Sequence, residues 1–519
     1  MTQPPPNAHS VTQQADSLTK LRAIGVWLEG SAQPNLTDEL EALMSRELEL
    51  RACDIEHALR SEMLGRIYCR TMVNVEKLLP ALTKSSFPPP RKLRQTTQTL
   101  QDLLYSVAEG LTSSCMIEPT PEARERSETA LWQAMNAISY HLLISHLAAM
   151  QTKGGVWQLL HMAYKRASDQ GIASQRPAGT SSSYQEIYFA TILAACSQPA
   201  SFSSRETRFL ADYLLRHSSL VKVLDQSERV STSTFWIDSK CDAPATPCSR
   251  KTAPPETEIT YFDCDHLATL AVKQLAALRS GLRPESIGLD GFAGTPAGRG
   301  SLRRLVGLFQ NTGKRRFPRR RQHYRAVVCA GLENLWRLFT QGSDLGIETS
   351  SWMITNESPV GYLIMHVLGD SSDVSLGDIV AIKAEDGDKW QVCITRWARS
   401  ENQEHLEFGL QILAISAIPA LASTTEGKER LCNSRPRPAL ILPKVPPLRI
   451  DDMLVTPSGF LDEQPTRIVL VIEQGNIEVR EVRNTQIDEQ TAHVEVFLIE
   501  PDIREASPDY GTAQMEKSR

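Results

Sequence analysis

KRRFPRRRQHYR, Lys314 to Arg325, leads into an apolar stretch, and NESPVG, Asn356 to Gly361, follows about thirty residues later. The first segment concentrates guanidinium groups at the entrance of a region with strand periodicity. Arginine's planar fork donates two parallel charge-assisted hydrogen bonds to a phosphate, and its flat face stacks on a nucleobase. The spacing Arg321-x-x-x-Arg325, with Arg320 adjacent, can place two such forks around one ligand. Two other pairs, Arg315/Arg319 and Arg316/Arg320, share that spacing. Asn356, Ser358 and Gly361 add an amide, a hydroxyl and a point where backbone can come close. Together these groups suit a phosphorylated ligand that also offers hydrogen-bonding edges.

Downstream of the arginines, Ala326 to Leu338, Ser351 to Val367, Ile379 to Lys383, Trp390 to Trp397 and Leu406 to Ile415 read as five β-segments. Gly377-Asp378 and Glu385-Asp386-Gly387-Asp388 supply the turn chemistry between them. Short strands this closely spaced imply a small antiparallel barrel over 311–425, because closure removes unpaired edges. Trp390 and Trp397 alternate with polar residues and read as packing rather than as a stacking platform. A second β-rich stretch, 436–500, holds Leu440 to Leu442, Met453 to Thr456, Arg467 to Ile472, Ile477 to Val482 and Ala492 to Ile499. It is expected to be a degenerate second barrel or a partner sheet. Lacking both motifs, it is expected to be structural.

Upstream, residues 13–225 read as amphipathic helices, giving an all-helical bundle or irregular solenoid. Asn35 is a cap for a helix carrying Leu40, Leu43 and Leu50, and Pro88-Pro89-Pro90 and Gly154-Gly155 break the pattern. Residues 226–310 read as a connector with a short strand and a helix, and GFAGTPAGRG (Gly291 to Gly300) as a flexible linker. Residues 1–12 are expected to be a flexible leader and 501–519 a loose tail. The fold class is therefore multidomain α + β.

The formal charge of this 519-residue chain is -5, so positive charge is local, which argues against wrapping nucleic acid. No apolar run reaches the length of a membrane span, and the start lacks a secretory pattern. Ten cysteines, mostly inside apolar patterns, fit a reducing, cytoplasmic setting. Cys241, Cys248, Cys264 and His266 form no tight Cys-x-x-Cys knuckle, so no metal is expected. Neither a Walker-type phosphate loop, a Gly-x-Ser-x-Gly elbow nor a His-Glu-x-x-His motif is present, so no enzyme is expected.

Residues of about 315 to 420 resemble a PilZ domain, whose pattern is RxxxR followed by [D/N]xSxxG. RQHYR (Arg321 to Arg325) and NESPVG match both parts in order. The resemblance implies a small β-barrel that binds cyclic di-GMP, in some members as an intercalated dimer. By resemblance Arg321 and Arg325 take phosphates and guanine faces, Arg320 supports them, and Asn356, Ser358 and Gly361 take guanine and phosphate hydrogen bonds. It implies a receptor rather than an enzyme, with no cofactor beyond the ligand; separately, a face on the helical region is expected to signal to a partner protein. The accompanying expectation is a switch in which the basic segment from Gly300 to Arg325, mobile without ligand, folds over the barrel. The alternatives are a nucleic-acid-binding module using the same arginines, or a protein-interaction scaffold that binds neither ligand.

Overall fold

The computed structural model describes residues 8–116, 124–224, 231–255, 258–310, 317–368, 374–400, 405–425, 435–445, 449, 451–461 and 466–502. The first seven residues of the expected leader, Lys314 to Arg316 of the basic run and the tail beyond 502 lie outside them.

The N-terminal region contains α1 (Ala8–Glu29), α2 (Leu36–Ala52), α3 (His57–Lys84), α4 (Arg91–Cys115), α5 (Arg124–Leu147), α6 (Val156–Asp169), α7 (Tyr184–Cys196) and α8 (Ser204–His217). Helix α1 thus begins inside the stretch expected to be a leader. The side chain of Asn35 accepts from the Thr37 N–H at 3.0 Å, capping α2 as its sequence suggested. Ser183 and Ser203 open α7 and α8 with reciprocal capping boxes to Glu186 and Glu206.

The described residues of 226–310 are part of this core and not a mere connector. Strands β1 (Lys222–Leu224), β2 (Thr234–Asp238), β3 (Thr246–Pro247) and β4 (Ile259–Asp263) form a sheet in the order β1-β4-β2-β3, followed by α9 (Asp265–Arg279) and α10 (Pro296–Gln310). Phe235, Phe262, Leu267, Leu302 and Phe309 are buried in the same hydrophobic cluster as the helices. The glycine-rich stretch expected to be a linker is a turn followed by the start of α10. Thr295 Oγ1 accepts from the Gly298 N–H at 3.1 Å, and Pro296 begins the helix where its missing N–H costs nothing. A Cβ on Gly300 would stand 2.0 Å from the carbonyl oxygen of Gln490, far downstream. These glycines serve close backbone approach, not mobility. The expected mobile segment is therefore corrected over Gly300 to Gln310, which is packed helix.

The first β-domain comprises β5 (Arg320–Ala330), α11 (Leu332–Gln341), β6 (Ser350–Ser358), β7 (Gly361–Leu368), β8 (Ile379–Ala384), β9 (Gln391–Ser400) and β10 (Leu406–Ala414). Its strands close into a barrel, β10-β7-β6-β5-β8-β9. Two expectations change here. The run from Ala326 to Leu338 is not one strand: Gly331, at φ +87, ends β5, and Leu332, Leu335 and Leu338 bury one face of α11. The run from Ser351 to Val367 is a hairpin of two strands, which makes six strands in place of five.

The second β-domain comprises β11 (Ile418–Thr425), β12 (Arg437–Leu442), β13 (Asp452–Pro457), β14 (Arg467–Gln474), β15 (Asn476–Gln490) and β16 (Val494–Pro501). It too is closed, β11-β12-β13-β16-β15-β14, and it begins inside the stretch allotted by sequence to the first barrel. In both barrels the first three strands form a meander, the third pairs with the sixth, and the fourth returns to the first. The second barrel is a topological copy of the first.

The barrels share a seam. Cys329, Ile379, Ala381, Val392 and Ile394 of the first pack with Leu440, Leu442, Met453, Val455, Val494 and Val496 of the second, joined by Leu332, Leu335 and Leu338 of α11. Alternate residues on the same strands, such as Val380, Ile382 and Cys393, fill the first barrel's interior. Strands buried on both faces explain why Ile379 to Ile382 reads as an unbroken apolar run.

Candidate functional site

The arginine pair and the downstream motif meet on neighbouring strands. In the β5–β6 ladder Arg320 stands opposite Glu357, Arg321 opposite Asn356 and Arg325 opposite Met353, with a bulge between Arg321 and Tyr324. Arg320, Arg321 and Arg325 are exposed, and no described carboxylate pairs with them. Arg319 precedes the strand. Its rival partner Arg315, and Arg316 of the other alternative register, lie outside the described residues.

NESPVG is a two-residue hairpin. Ser358 and Gly361 face each other across Pro359-Val360, and the Ser358 hydroxyl donates to the Gly361 carbonyl at 3.2 Å. A Cβ at Gly361 would stand 2.2 Å from the Leu410 carbonyl oxygen, so glycine lets the hairpin press against β10. The Ile412 N–H donates to the Val360 carbonyl at 3.0 Å and fixes the turn. Asn356 Oδ1 is buried and accepts no hydrogen bond among the described residues. An unpaired acceptor of that kind carries a desolvation cost that a donor on a bound molecule would relieve.

Tyr324 supports the site from within the wall. Its hydroxyl donates to Glu357 Oε2 at 2.9 Å, and burial together with that bond holds the phenol well above its usual range. Tyr324 thereby anchors Glu357 beside Arg320. Their proximity depends on the β5 bulge. Leu376 to Asp378 is structural: the Asp378 carboxylate accepts from the Ile379 N–H at 2.8 Å, and Thr491 of the second barrel donates to the Gly377 carbonyl at 2.7 Å.

Other concavities lie elsewhere. A groove of about 1140 Å³ in the helical region is lined by Leu28, Glu62, Arg66, Cys69, Val73 and Gln133 among others, and by none of the motif residues. Among the described residues no group of His, Cys, Asp and Glu could hold a metal ion, and no helix is long and apolar enough to cross a membrane.

A closed six-stranded barrel, with paired arginines on its first strand and an Asn-x-Ser-x-x-Gly hairpin beside them, defines a PilZ-type domain. Two family models match the chain: the cyclic-di-GMP receptor FimW N-terminal domain over residues 22–227, and the cyclic-di-GMP receptor FimW middle PilZ domain over residues 339–419. The chain belongs to this FimW family of cyclic-di-GMP receptors. The PilZ match contains Asn356, Ser358 and Gly361 and begins beyond the strand that carries Arg321 and Arg325. No curated protein and no solved structure matches the chain.

Proposed function

We propose that the chain is a non-enzymatic receptor that holds cyclic di-GMP against the outer wall of its first barrel and works where that intracellular messenger is made, in the cytoplasm. The observation that carries this reading is the register that sets Arg321 opposite Asn356, whose Oδ1 is buried and unsatisfied. Arg321 and Arg325 donate to phosphates and stack on guanine, with Arg320 in support. Asn356 accepts from a guanine donor, while Ser358 and Gly361 hold the hairpin and its backbone against the ligand. Calorimetric titration of the full chain tests this. Cyclic di-GMP should bind in preference to GMP and cyclic di-AMP, and R321A and S358A should bind more weakly. No heat with the wild type, or unchanged affinity in both variants, sinks the assignment; an intercalated dimer would appear as two ligands per chain.

The receptor signals, on this reading, by shifting the barrels against the helical region, which carries the face for a partner protein. What supports it is a polar chain across the junction. Gly361 stands opposite Gln411, whose Oε1 accepts from Arg396 Nε at 2.6 Å. Arg396 pairs with Glu489 of the second barrel, Glu489 lies 3.9 Å from Arg304 of α10, and Arg304 donates to Glu206 of α8 at 2.5 Å. A ligand moves such an equilibrium only through differential affinity for two arrangements. Hydrogen exchange in α8 and α10 should therefore change on adding ligand, and change less in R396A. Identical exchange with and without saturating ligand would rule the coupling out.

A further inference from the structure

The loop between α3 and α4 reaches into the first barrel. Residues 85–90 read Ser-Ser-Phe-Pro-Pro-Pro, and the three proline rings stiffen the backbone that presents Phe87. Among the described residues, Phe87 is the one side chain from outside 317–425 that packs against the hydrophobic cluster filling this barrel. Its ring stands T-shaped to Phe408, with the centroids 5.7 Å apart. Phe408 in turn stands T-shaped to Trp352 at 5.6 Å, and both are almost fully buried. Edge-to-face contacts of this kind hold rings in place beyond the area they bury.

A polar contact grips the same end of the barrel. Ser400, the last residue of β9, stands opposite Leu406, the first of β10. Arg94, in the first turn of α4, donates from Nη1 to Ser400 Oγ at 3.2 Å and from Nη2 to the Ser400 carbonyl at 3.3 Å. The helical region thus closes one mouth of the motif-bearing barrel with an apolar plug and a clamp on the rim.

The plug reaches the motif through Trp352. That residue lies on β6, the strand of Asn356 and Ser358, and stands opposite Ala326, the neighbour of Arg325 on β5. Ala326 and Trp352 are fully buried, whereas Arg325 is exposed on the other face of the same wall. Close-packed interiors pass a displacement from one side chain to the next. Without the Phe87 ring, Phe408 and Trp352 lose their support at the mouth. The wall carrying Arg325 and Asn356 then shifts, and hydrogen bonds to a ligand weaken steeply with misalignment. We infer that Phe87 is a positioning residue: the helical region sets the affinity for cyclic di-GMP by plugging the barrel from inside. The inference rests on the receptor reading above and adds a contact through which the helical region reaches the site. By linkage, ligand must tighten the plug by the same factor as the plug tightens ligand.

Two measurements on the full chain test this. In calorimetric titration, F87A should weaken cyclic di-GMP by about fivefold or more, the usual lower end of coupling between sites. F87L, which keeps the mouth filled, should stay within about threefold of wild type, and F87V should fall between the two. Trypsin cleavage after the exposed Lys84, at the start of the loop, supplies the reciprocal readout. Ligand should slow that cut in the wild type and slow it less in F87A. Thermal melts without ligand separate lost positioning from lost fold, and F87V decides by the same criteria where F87A does not fold. Wild-type affinity in the deciding variant, or cleavage after Lys84 that ligand leaves unchanged in the wild type, overturns the inference and leaves the receptor reading standing. Failure of the wild type to bind takes both down.

Discussion

The two barrels are wound alike and used differently. Each has six strands with the same pairing order, so topology does not decide which one takes a ligand. The difference lies on the outer wall and in one hairpin. The first barrel opens on a strand bearing Arg320, Arg321 and Arg325, and joins its second and third strands by Pro359-Val360. The second opens on Ile418–Thr425, which carries no charge, and its corresponding strands end at Leu442 and resume at Asp452. Its β12, β13 and β16 face is buried against the first barrel, whereas Met353, Leu363 and Met365 on the matching β6 and β7 of the first are only half-buried. Two barrels of one topology thus differ in how far the equivalent face is packed, and the second spends its face on the seam.

The contrast breaks most decisively at the seam. Leu440 is fully buried between the barrels, and Leu440→Asp should cost about 4 kcal/mol or more, because it strands a charge in an apolar interface. Leu363→Asp, at a half-exposed position on the open face of the first barrel, should cost about 1 kcal/mol or less. Chemical denaturation of both variants checks the difference; equal losses would mean that the open face is also core.

Next in size is the loss of ligand from the arginine edge. Arg321→Ala should weaken cyclic di-GMP by about 10- to 100-fold, the worth of charge-assisted hydrogen bonds, with the unfolding midpoint unchanged. Gly300→Ala probes the other attachment of the second barrel. Its methyl would meet the Gln490 carbonyl, and overpacking there should cost about 1–3 kcal/mol, read by thermal melting.

What was legible in the sequence follows the same division. RQHYR and NESPVG could be read because each residue's chemistry is local: forks for phosphate, a hairpin turn, a glycine under close approach. Their meeting in one row was not readable, since it depends on bulges at Arg321/Tyr324 and Ile354/Asn356 that no period reveals. The closure of the second barrel was only half visible, because strands buried on both faces lose alternation. Leu332, Leu335 and Leu338 hid a helix inside an apolar run, and the glycines of α10 imitated a linker while serving a contact with Gln490, 190 positions downstream. Long-range packing, not propensity, fixed each of these.

The smallest expected effect is a pH slope confined to the second barrel. Glu495 is fully buried, and burial pushes its carboxyl above the ordinary 4.5, although Gln490 Nε2 donates to it at 2.9 Å and the Phe460 N–H at 3.2 Å. A carboxyl raised in the folded state holds its proton more tightly there than in the unfolded chain. Its contribution is fully present below about pH 4.5 and is lost as pH rises through the elevated folded value. Glu495→Gln mimics the neutral acid at every pH, so it should flatten the decline in unfolding free energy above pH 4.5 and leave cyclic di-GMP affinity untouched. An unchanged slope would place the titration elsewhere, and a change in affinity would show that the second barrel is more than a wall.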